Sequence, residues 1–375
     1  MGESSDAEAR VLDGRTWADF CDSLKSAGDL VLRPGSPENA FDRAEGYRYL
    51  SRLARVALES YVEFADPAAP VLRRPAHETV KIGADNPDNY YQSATISGEH
   101  EYRIRGQRGT VHYLGIGTYA GNYGSGGRRG QSGYIESADL EMDSEGFFEI
   151  ILSCRPQSGR NWLPMEPDTS SLIVRQTFED RAAEKIADLT LERLGASGPP
   201  EPLTPLALDE GLAAAAAYVQ GTASLFCDWS EGFRQDVNNL PPFDPAIASA
   251  AHGDPHIRYY HGYWELAPDE ALVIEVTPPA CEYWNFQLNN HWMESLDYRY
   301  HRIDLNHHTA SLREDGSVQL IVAHRDPGLP NWLDTASHGR GTMCLRWIRA
   351  DSHPEPLTRV VPFGELVAEA GKGSA

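Results

Sequence analysis

The chain has few cysteines, few basic residues and no long apolar run, and each shortage excludes something. Its five cysteines are Cys21, Cys154, Cys227, Cys281 and Cys344. They are odd in number, far apart and never spaced as a CxxC pair, so they predict neither a disulfide framework nor a cysteine-rich zinc site. They read instead as reduced, mostly buried thiols of a cytoplasmic protein. Basic residues number 33 against 55 acidic ones, for a net charge of −22. That balance repels phosphate backbones and anionic bilayers, which argues against a nucleic-acid or membrane partner. The N-terminus, Met1 to Arg10, shows no basic lead and no apolar core, so no secretion signal is visible. The strongest membrane candidate, Gly211 to Cys227, is mostly alanine and too short to span. No GxGxxG follows a strand-like run, and the glycine-rich Tyr119 to Gly130 lacks the GKS/T ending of a phosphate loop. A nucleotide cofactor is therefore not expected, and that stretch reads as a β–β loop or lid.

A hydrophobic fraction of 41 % over 375 residues is ample for two cores. The chain also repeats itself. Gly146 to Asn161-Trp162-Leu163 and Gly316 to Asn331-Trp332-Leu333 have the same spacing, with Arg155 and Arg325 in register. Further on, Arg175 to Asp180 loosely echoes Arg346 to Asp351. A turn, a β-rich run, an arginine, a loop and a second apolar run recur in one order, which predicts a duplicated β-domain.

The fold expected is mainly β with helical additions: two β-sandwich or jelly-roll-like domains related by internal duplication. Residues 1–76 form an N-terminal helical segment, with helices over Thr16 to Leu32 and Asn39 to Phe64. The second of these carries Tyr47, Leu50, Ala54, Leu58 and Tyr61 at three- and four-residue steps. Residues 77–180 form the first β-domain. Residues 181–255 form a helical linker, with helices over Glu179 to Leu194 and Leu208 to Asp228. Residues 256–351 form the second β-domain, and 352–375 a C-terminal tail.

Ten of the 13 histidines follow Ala251, so chemistry is expected in the second copy. Along Tyr283 to Leu288 read as a strand, Tyr283, Asn285, Gln287 and Asn289 share one face and Trp284, Phe286 and Leu288 the other. An amide-lined face can hydrogen-bond a ligand inside a barrel, or be ordinary solvated surface outside it. Tyr283, Asn285 and Gln287 are the candidates for positioning substrate. His291, Glu294, His324 and His338 are the candidates for moving protons, and Arg299, Arg325 and Arg340 for holding an anionic group. No histidine spacing is diagnostic of a metal, so none is assigned. A divalent ion would need distant ligands such as His261, His291, His324 and Glu294. Ser295 near His291 and Ser337 beside His338 are the available nucleophiles, and neither lies in a GxSxG elbow. Arg155, Arg325 and the repeated Asn-Trp pairs occur in both halves and read as structural.

The run Tyr283 to Arg299, the turn at Asp315-Gly316, and Asp326 to Asp334 followed by His338-Gly339 resemble the bacterial domain-of-unknown-function family 1214. Lys81 to Tyr90 and Tyr102 to Gly106 resemble the upstream half of its two-domain relatives, family 1254. The helical lead from Arg43 to Leu53 resembles cytoplasmic actinobacterial members. The resemblance implies paired β-sandwich domains and brings no catalytic residues with it.

The function expected is an enzyme acting on a small, partly apolar or aromatic metabolite by acid–base hydrolase or lyase chemistry. Its pocket would lie in the second β-domain near the interface with the first. The other reading is a non-catalytic ligand-binding (sugar, lipid or sterol-like) or assembly module. No cofactor is predicted, and a homo-oligomer would fit either reading.

Overall fold

Two kinds of sequence period, one helical and one alternating, divide the molecule. The computed structural model describes residues 2–124, 130–159, 161–195 and 198–373. The lead is helical: α1 (Gly2–Asp13), α2 (Arg15–Ala27), α3 (Asp29–Leu32) and α4 (Ala40–Leu58). The expected helix over Thr16 to Leu32 is thus two, divided at Gly28. Asn39 starts α4 by accepting the Asp42 amide on its side chain. Glu59–Glu63 continues α4 as one π-helical turn.

The first half then contributes β1 (Asn89–Thr95), β2 (Tyr102–Gln107), β3 (Tyr113–Ala120), β4 (Gly130–Glu136), β5 (Phe147–Ser153), β6 (Trp162–Pro164), β7 (Thr169–Thr177) and β8 (Asp188–Arg193). Helices α5 (Pro205–Phe233) and α6 (Pro245–Ala250) connect it to the second half. That half holds β9 (Ile257–Glu265), β10 (Glu270–Val276), β11 (Tyr283–Leu288), β12 (Asp304–Asn306), β13 (Val318–Ala323), β14 (Trp332–Asp334), β15 (Arg340–Ile348) and β16 (Leu357–Pro362), followed by α7 (Phe363–Gly373).

The sheets repeat strand for strand. The first half orders its strands β1-β7-β3-β4 and β6-β5-β2-β8. The second orders them β9-β15-β11-β12 and β14-β13-β10-β16. Even the parallel pairs correspond, β5 with β6 and β13 with β14. In each half the two sheets enclose one core. Ile104, Ile150, Leu114 and Val174 meet in the first, and Leu272, Leu320, Phe286 and Leu345 in the second. The chain is therefore mainly β, with two duplicated four-plus-four sandwiches and no closed barrel among the described residues.

Three expectations need correction. Residues 179–194 are not a helix: they form a turn and then β8. Ala182, Ile186 and Leu189 have helical spacing, but Leu189 and Leu191 alternate with Thr190 and Glu192. The free edge of β2 needs a strand to satisfy its amides, and β8 pairs with it throughout. The stretch beyond residue 351 is more than a tail, because β16 closes the β10 edge. The cysteines are all free, but only Cys227 and Cys344 are buried, while Cys21 and Cys154 are exposed. The glycine-rich stretch does join two paired strands, β3 and β4. Its residues 125–129, on which a lid reading would rest, lie outside the described residues.

The long helix α5 lies close to the loop after β3. A Cβ on Gly221 would stand 2.1 Å from the Tyr123 carbonyl oxygen, so only glycine permits that approach. Small residues along α5 also let it bury against α2 and α4, with Leu53, Ala57, Ala215 and Val219 in one cluster. No described helix is long and apolar enough to cross a membrane.

Candidate functional site

A cavity of about 340 Å³ lies where the two halves and α5 meet, a size within the range of small-molecule sites. Two short segments build it, one ahead of each sandwich. Ala84-Asp85-Asn86-Pro87 precedes β1, and His252-Gly253-Asp254-Pro255 precedes β9. Their geometry repeats. Ala84 and His252 both have left-handed backbones, φ 57° and 59°. The Asn86 amide donates to Tyr91 Oη at 3.0 Å, and the Asp254 amide to Tyr259 Oη at 3.2 Å. Asn86 and Asp254 each accept, on a side-chain oxygen, the amide two residues on, both at 3.0 Å.

Each tyrosine stands opposite an arginine in the same sheet: Tyr91 pairs with Arg175, and Tyr259 with Arg346. All four line the cavity. Arg175 donates to Tyr119 Oη at 2.9 Å and to the His252 carbonyl. Arg346 donates through Nη1 to Gln287 Oε1 at 2.6 Å and Asn285 Oδ1 at 3.3 Å, and through Nη2 to the Ala84 carbonyl. Each half's arginine thus grips the other half's entry segment. A guanidinium has five N–H donors, and these bonds use two and three of them. Neither arginine has a carboxylate within salt-bridge distance among the described residues. Arg73 is a third guanidinium on the wall, its Nε buried without a partner; burial lowers its pKa.

Asp85 is the one carboxylate among the described residues lining the cavity. Burial raises its pKa, although Ser295 donates to it from both its amide (3.1 Å) and its hydroxyl (2.9 Å). The opposite wall is aromatic. Tyr123, Phe226, Trp229 and Phe243 follow one another at centroid separations of 5.3, 5.5 and 4.8 Å. His261 ends the row, 4.9 Å from Phe243 and stacked between Phe233 and Tyr259. Burial pushes its pKa down to about 3, so it is neutral at pH 7, and its Nδ1 has no hydrogen-bond partner.

The residues singled out in the sequence lie around this cavity rather than on it. The amide face of β11 meets neither a barrel lumen nor solvent. It packs on the entry segment of the first half. Asn285 donates to Asn86 at 3.0 Å, Gln287 to the Asp85 carbonyl at 2.9 Å, and Tyr283 to Asp88. Asn289, whose solvated reading was open, is fully buried. Its partner is the Gln287 amide at 2.6 Å.

Glu294 and His338 face the helical lead. Glu294 takes Arg52 of α4 at 2.5 Å, and His338 meets Asp42 of α4 at 2.8 Å. Trp292 fills the space above Gly46 of α4, and its indole N–H donates to the Asp42 carbonyl at 3.2 Å. His291 Nδ1 lies 2.9 Å from Tyr263 Oη, and burial pushes its pKa down to about 3. His324 bonds Thr335 at 2.8 Å and the Leu266 carbonyl at 3.3 Å. Arg299, Arg325 and Arg340 pair with Asp297, Asp269 and Glu265. The Ser295 hydroxyl is held by Asp85, not by His291. His261, His291, His324 and Glu294 do not come together as a metal-binding group.

Sequence reading did not single out Arg175, Arg346 or the two entry segments as a site, and named His261 only as a possible metal ligand. A signal was present: Asn86-Pro-Asp-Asn-Tyr-Tyr91 recurs as Asp254-Pro-His-Ile-Arg-Tyr259, and the arginines recur in the echo of Arg346 to Asp351.

Residues 267–352 match the model of a protein family of unknown function, DUF1214. The match covers most of the second β-domain. Along nearly its whole length the chain belongs to one family with a putative uncharacterised protein of Burkholderia cenocepacia. The crystal structure of that protein is 53 % identical, with a TM-score of 0.93, covering 95 % of this chain and 99 % of that one. The VPA0106 protein of Vibrio parahaemolyticus aligns over 90 % of this chain and 100 % of its own, at 12 % identity and a TM-score of 0.48. No curated protein matches the chain. The DUF1214 match does not reach the upstream segment that resembles family 1254.

Proposed function

We propose that this chain takes up a small organic anion with an apolar or aromatic body in the cavity between its two sandwiches, and that it acts on it by acid–base chemistry of the hydrolase or lyase type. One observation carries the reading. Arg175 and Arg346, from equivalent strands, face one aromatic-walled cavity with N–H donors to spare and no carboxylate partner among the described residues. Buried unpaired charge is costly, and an anionic ligand relieves the cost. Charge also favours an anion over a neutral sugar or sterol. Tyr123, Phe226 and Trp229 offer ring faces to its body.

In this reading His261, neutral and unpartnered at Nδ1, becomes the proton acceptor once the bound anion offsets the burial and the Arg346 charge that make it a weak base. Asp85, the one carboxyl among the described residues lining the cavity, is assigned as the proton donor. The set His291, Glu294, His324 and His338 has less support, since its members do not line the cavity and two of them, Glu294 and His338, are engaged by the helical lead. The five free cysteines suit a reducing compartment such as the cytoplasm, and the first sandwich is the segment we would assign to family 1254.

The test is calorimetric titration of the full chain with a panel of aromatic carboxylates and their neutral amides. We expect one-site binding of acids only, weakened at least about tenfold in Arg346→Gln and Arg175→Gln, the loss of one charge-assisted bond. Equal binding of acids and amides would sink the anion reading. For any acid that is turned over, His261→Ser should keep binding and lose turnover. Binding without turnover for every ligand would favour the non-catalytic module.

A further inference from the structure

A second cluster lies at the seam between the halves and does not line the cavity. His112 sits just ahead of β3, Glu179 just after β7, and His307 just after β12. Their nearest ligand atoms all lie within 4.8 Å of one another. His112 Nδ1 is 2.9 Å from Glu179 Oε2, and His307 Nε2 is 2.6 Å from Glu179 Oε1. All three side chains are about one quarter exposed. We propose that His112, Glu179 and His307 bind one zinc-like divalent cation that pins the first sandwich to the second.

The proton inventory supports this. His112 Nε2 lies 2.7 Å from the Glu282 carbonyl oxygen, which can only accept, so Nε2 carries hydrogen. Nδ1 then faces a carboxylate oxygen. With a cation bound, the Nδ1 lone pair is already directed at the ligand position. A metal-ligating histidine commonly donates its other N–H to a carbonyl in this way.

The ligands are also held from behind. Glu184 Oε2 accepts the backbone amide of Glu179 at 3.0 Å and that of His112 at 3.3 Å. Asn306 donates to the Glu179 carbonyl at 3.0 Å. Two imidazoles and a carboxylate with an outward opening form a three-ligand set that leaves a fourth position for water. Tetrahedral bonds of about 2.0 Å put ligand atoms about 3.3 Å apart, so cation entry needs the Glu179 carboxylate to swing out from its 2.6 and 2.9 Å contacts and the cluster to close from its 4.8 Å spread. Two ligands come from the first half and one from the second, so binding opposes separation of the halves.

The experiment uses untagged full-length protein, stripped with a chelator and titrated with zinc by native mass spectrometry and calorimetry. We expect one equivalent with submicromolar affinity, a zinc-dependent rise in melting temperature, and weaker binding as pH falls from 7.5 to 6, since protons leave as metal enters. Glu179→Gln and His307→Asn should each weaken binding at least about 100-fold, and Glu184→Gln about 10- to 100-fold, the usual outer-shell range. Cobalt(II) gives a readout independent of variant folding: the wild type should show the intense visible bands of a four-coordinate site. No stoichiometric zinc, full affinity in folded His307→Asn and Glu179→Gln, or only the pale spectrum of six-coordinate cobalt would each overturn the proposal.

Discussion

The two sandwiches share strand order and pairing and differ in how each holds its cavity arginine. In the second half, Arg346 is held by the amides Asn285 and Gln287 on β11. The matching strand in the first half, β3, has Gly115 and Gly117 at the corresponding positions. There, aromatic rings take the space: a Cβ on Gly115 would stand 1.9 Å from Tyr134 Oη, and one on Gly117 would stand 2.6 Å from Tyr119 Oη. Tyr119 then supplies the oxygen that Arg175 needs. The guanidinium is kept and its support is rebuilt, which is what a buried charge demands and a surface charge does not. On the cavity wall the divergence runs the other way. His261 in β9 stands where β1 carries Ser93. Duplication has kept a buried arginine on both sides of the cavity and placed a histidine on one.

The helical lead makes the halves unequal, and breaking its clamp gives the largest effect expected. The Arg52–Glu294 pair joins α4 to the second half only. Both residues are buried, Glu294 completely. Glu294→Gln strands a buried guanidinium and should cost about 3–5 kcal/mol in denaturant unfolding. A loss below about 1 kcal/mol would mean that α4 is held by Trp292 and packing instead.

A second inequality is electrostatic. Gln287 of β11 pairs with Asp304, and Gly117 of β3 pairs with Tyr134. The first half therefore sets a tyrosine against Asp254, where the second sets Asp304 near Asp88. Burial, then Asp88, pushes Asp304 up to about 8, with Arg181, Lys81 and Arg302 opposing. A raised carboxyl binds its proton more tightly when folded, so its contribution to stability is lost as pH rises from about 4 to 8. Buried His261 and His291, pushed down to about 3, give the opposite slope, but only below their unfolded value near 6.5. The window from pH 6.5 to 8 leaves out the histidines, and because burial raises Asp85, Asp88 and Glu294 as well, the comparison with Asp304→Asn picks out the share of Asp304. Stability of the wild type should fall there by about 1 kcal/mol, and Asp304→Asn should flatten the curve. An unchanged slope in Asp304→Asn would move the effect elsewhere.

The entry segments sharpen the comparison at smaller scale. Ala84 and His252 share a left-handed backbone that costs a non-glycine residue about 1 kcal/mol. Ala84→Gly should recover roughly 0.5–1 kcal/mol. His252→Gly should instead destabilise, because its ring packs on Tyr119 and Tyr123 at 5.0 and 5.6 Å. Equal signs in thermal unfolding would show that backbone strain alone decides both positions.

What was legible in the sequence follows from length scale. Alternation along Tyr283 to Leu288 located β11, and the repeated Gly146 and Gly316 stretches revealed the duplication. Leu189 and Leu191 were missed because a short amphipathic strand beside a turn also satisfies helical spacing, and only the unpaired edge of β2 decides between them. The site was less legible. Arg175 and Arg346 are 171 positions apart, and what makes them a pair is the fold-over of one half on the other. Clustering of histidines pointed to the second copy, yet Glu294 and His338 are engaged by α4, which is distant in sequence. A dense polar motif marked a domain seam, and seams need satisfied polar groups as much as active sites do.

The smallest expected effect tests the opposite kind of repeat. Arg155 and Arg325 align without a gap, as Arg175 and Arg346 nearly do, but they are exposed. Arg325 reaches Asp269 at 3.2 Å with side-chain exposures of 61 % and 93 %, and its guanidinium lies 4.6 Å from the Phe363 ring centroid. An ion pair in water gains little, because solvent and salt screen it and both side chains lose freedom. Arg325→Ala should therefore change unfolding free energy by no more than about 0.5 kcal/mol and leave anion binding untouched. A loss of binding in Arg325→Ala comparable to that in Arg346→Gln would mean that the outer pair of repeated arginines, not the inner one, faces the ligand.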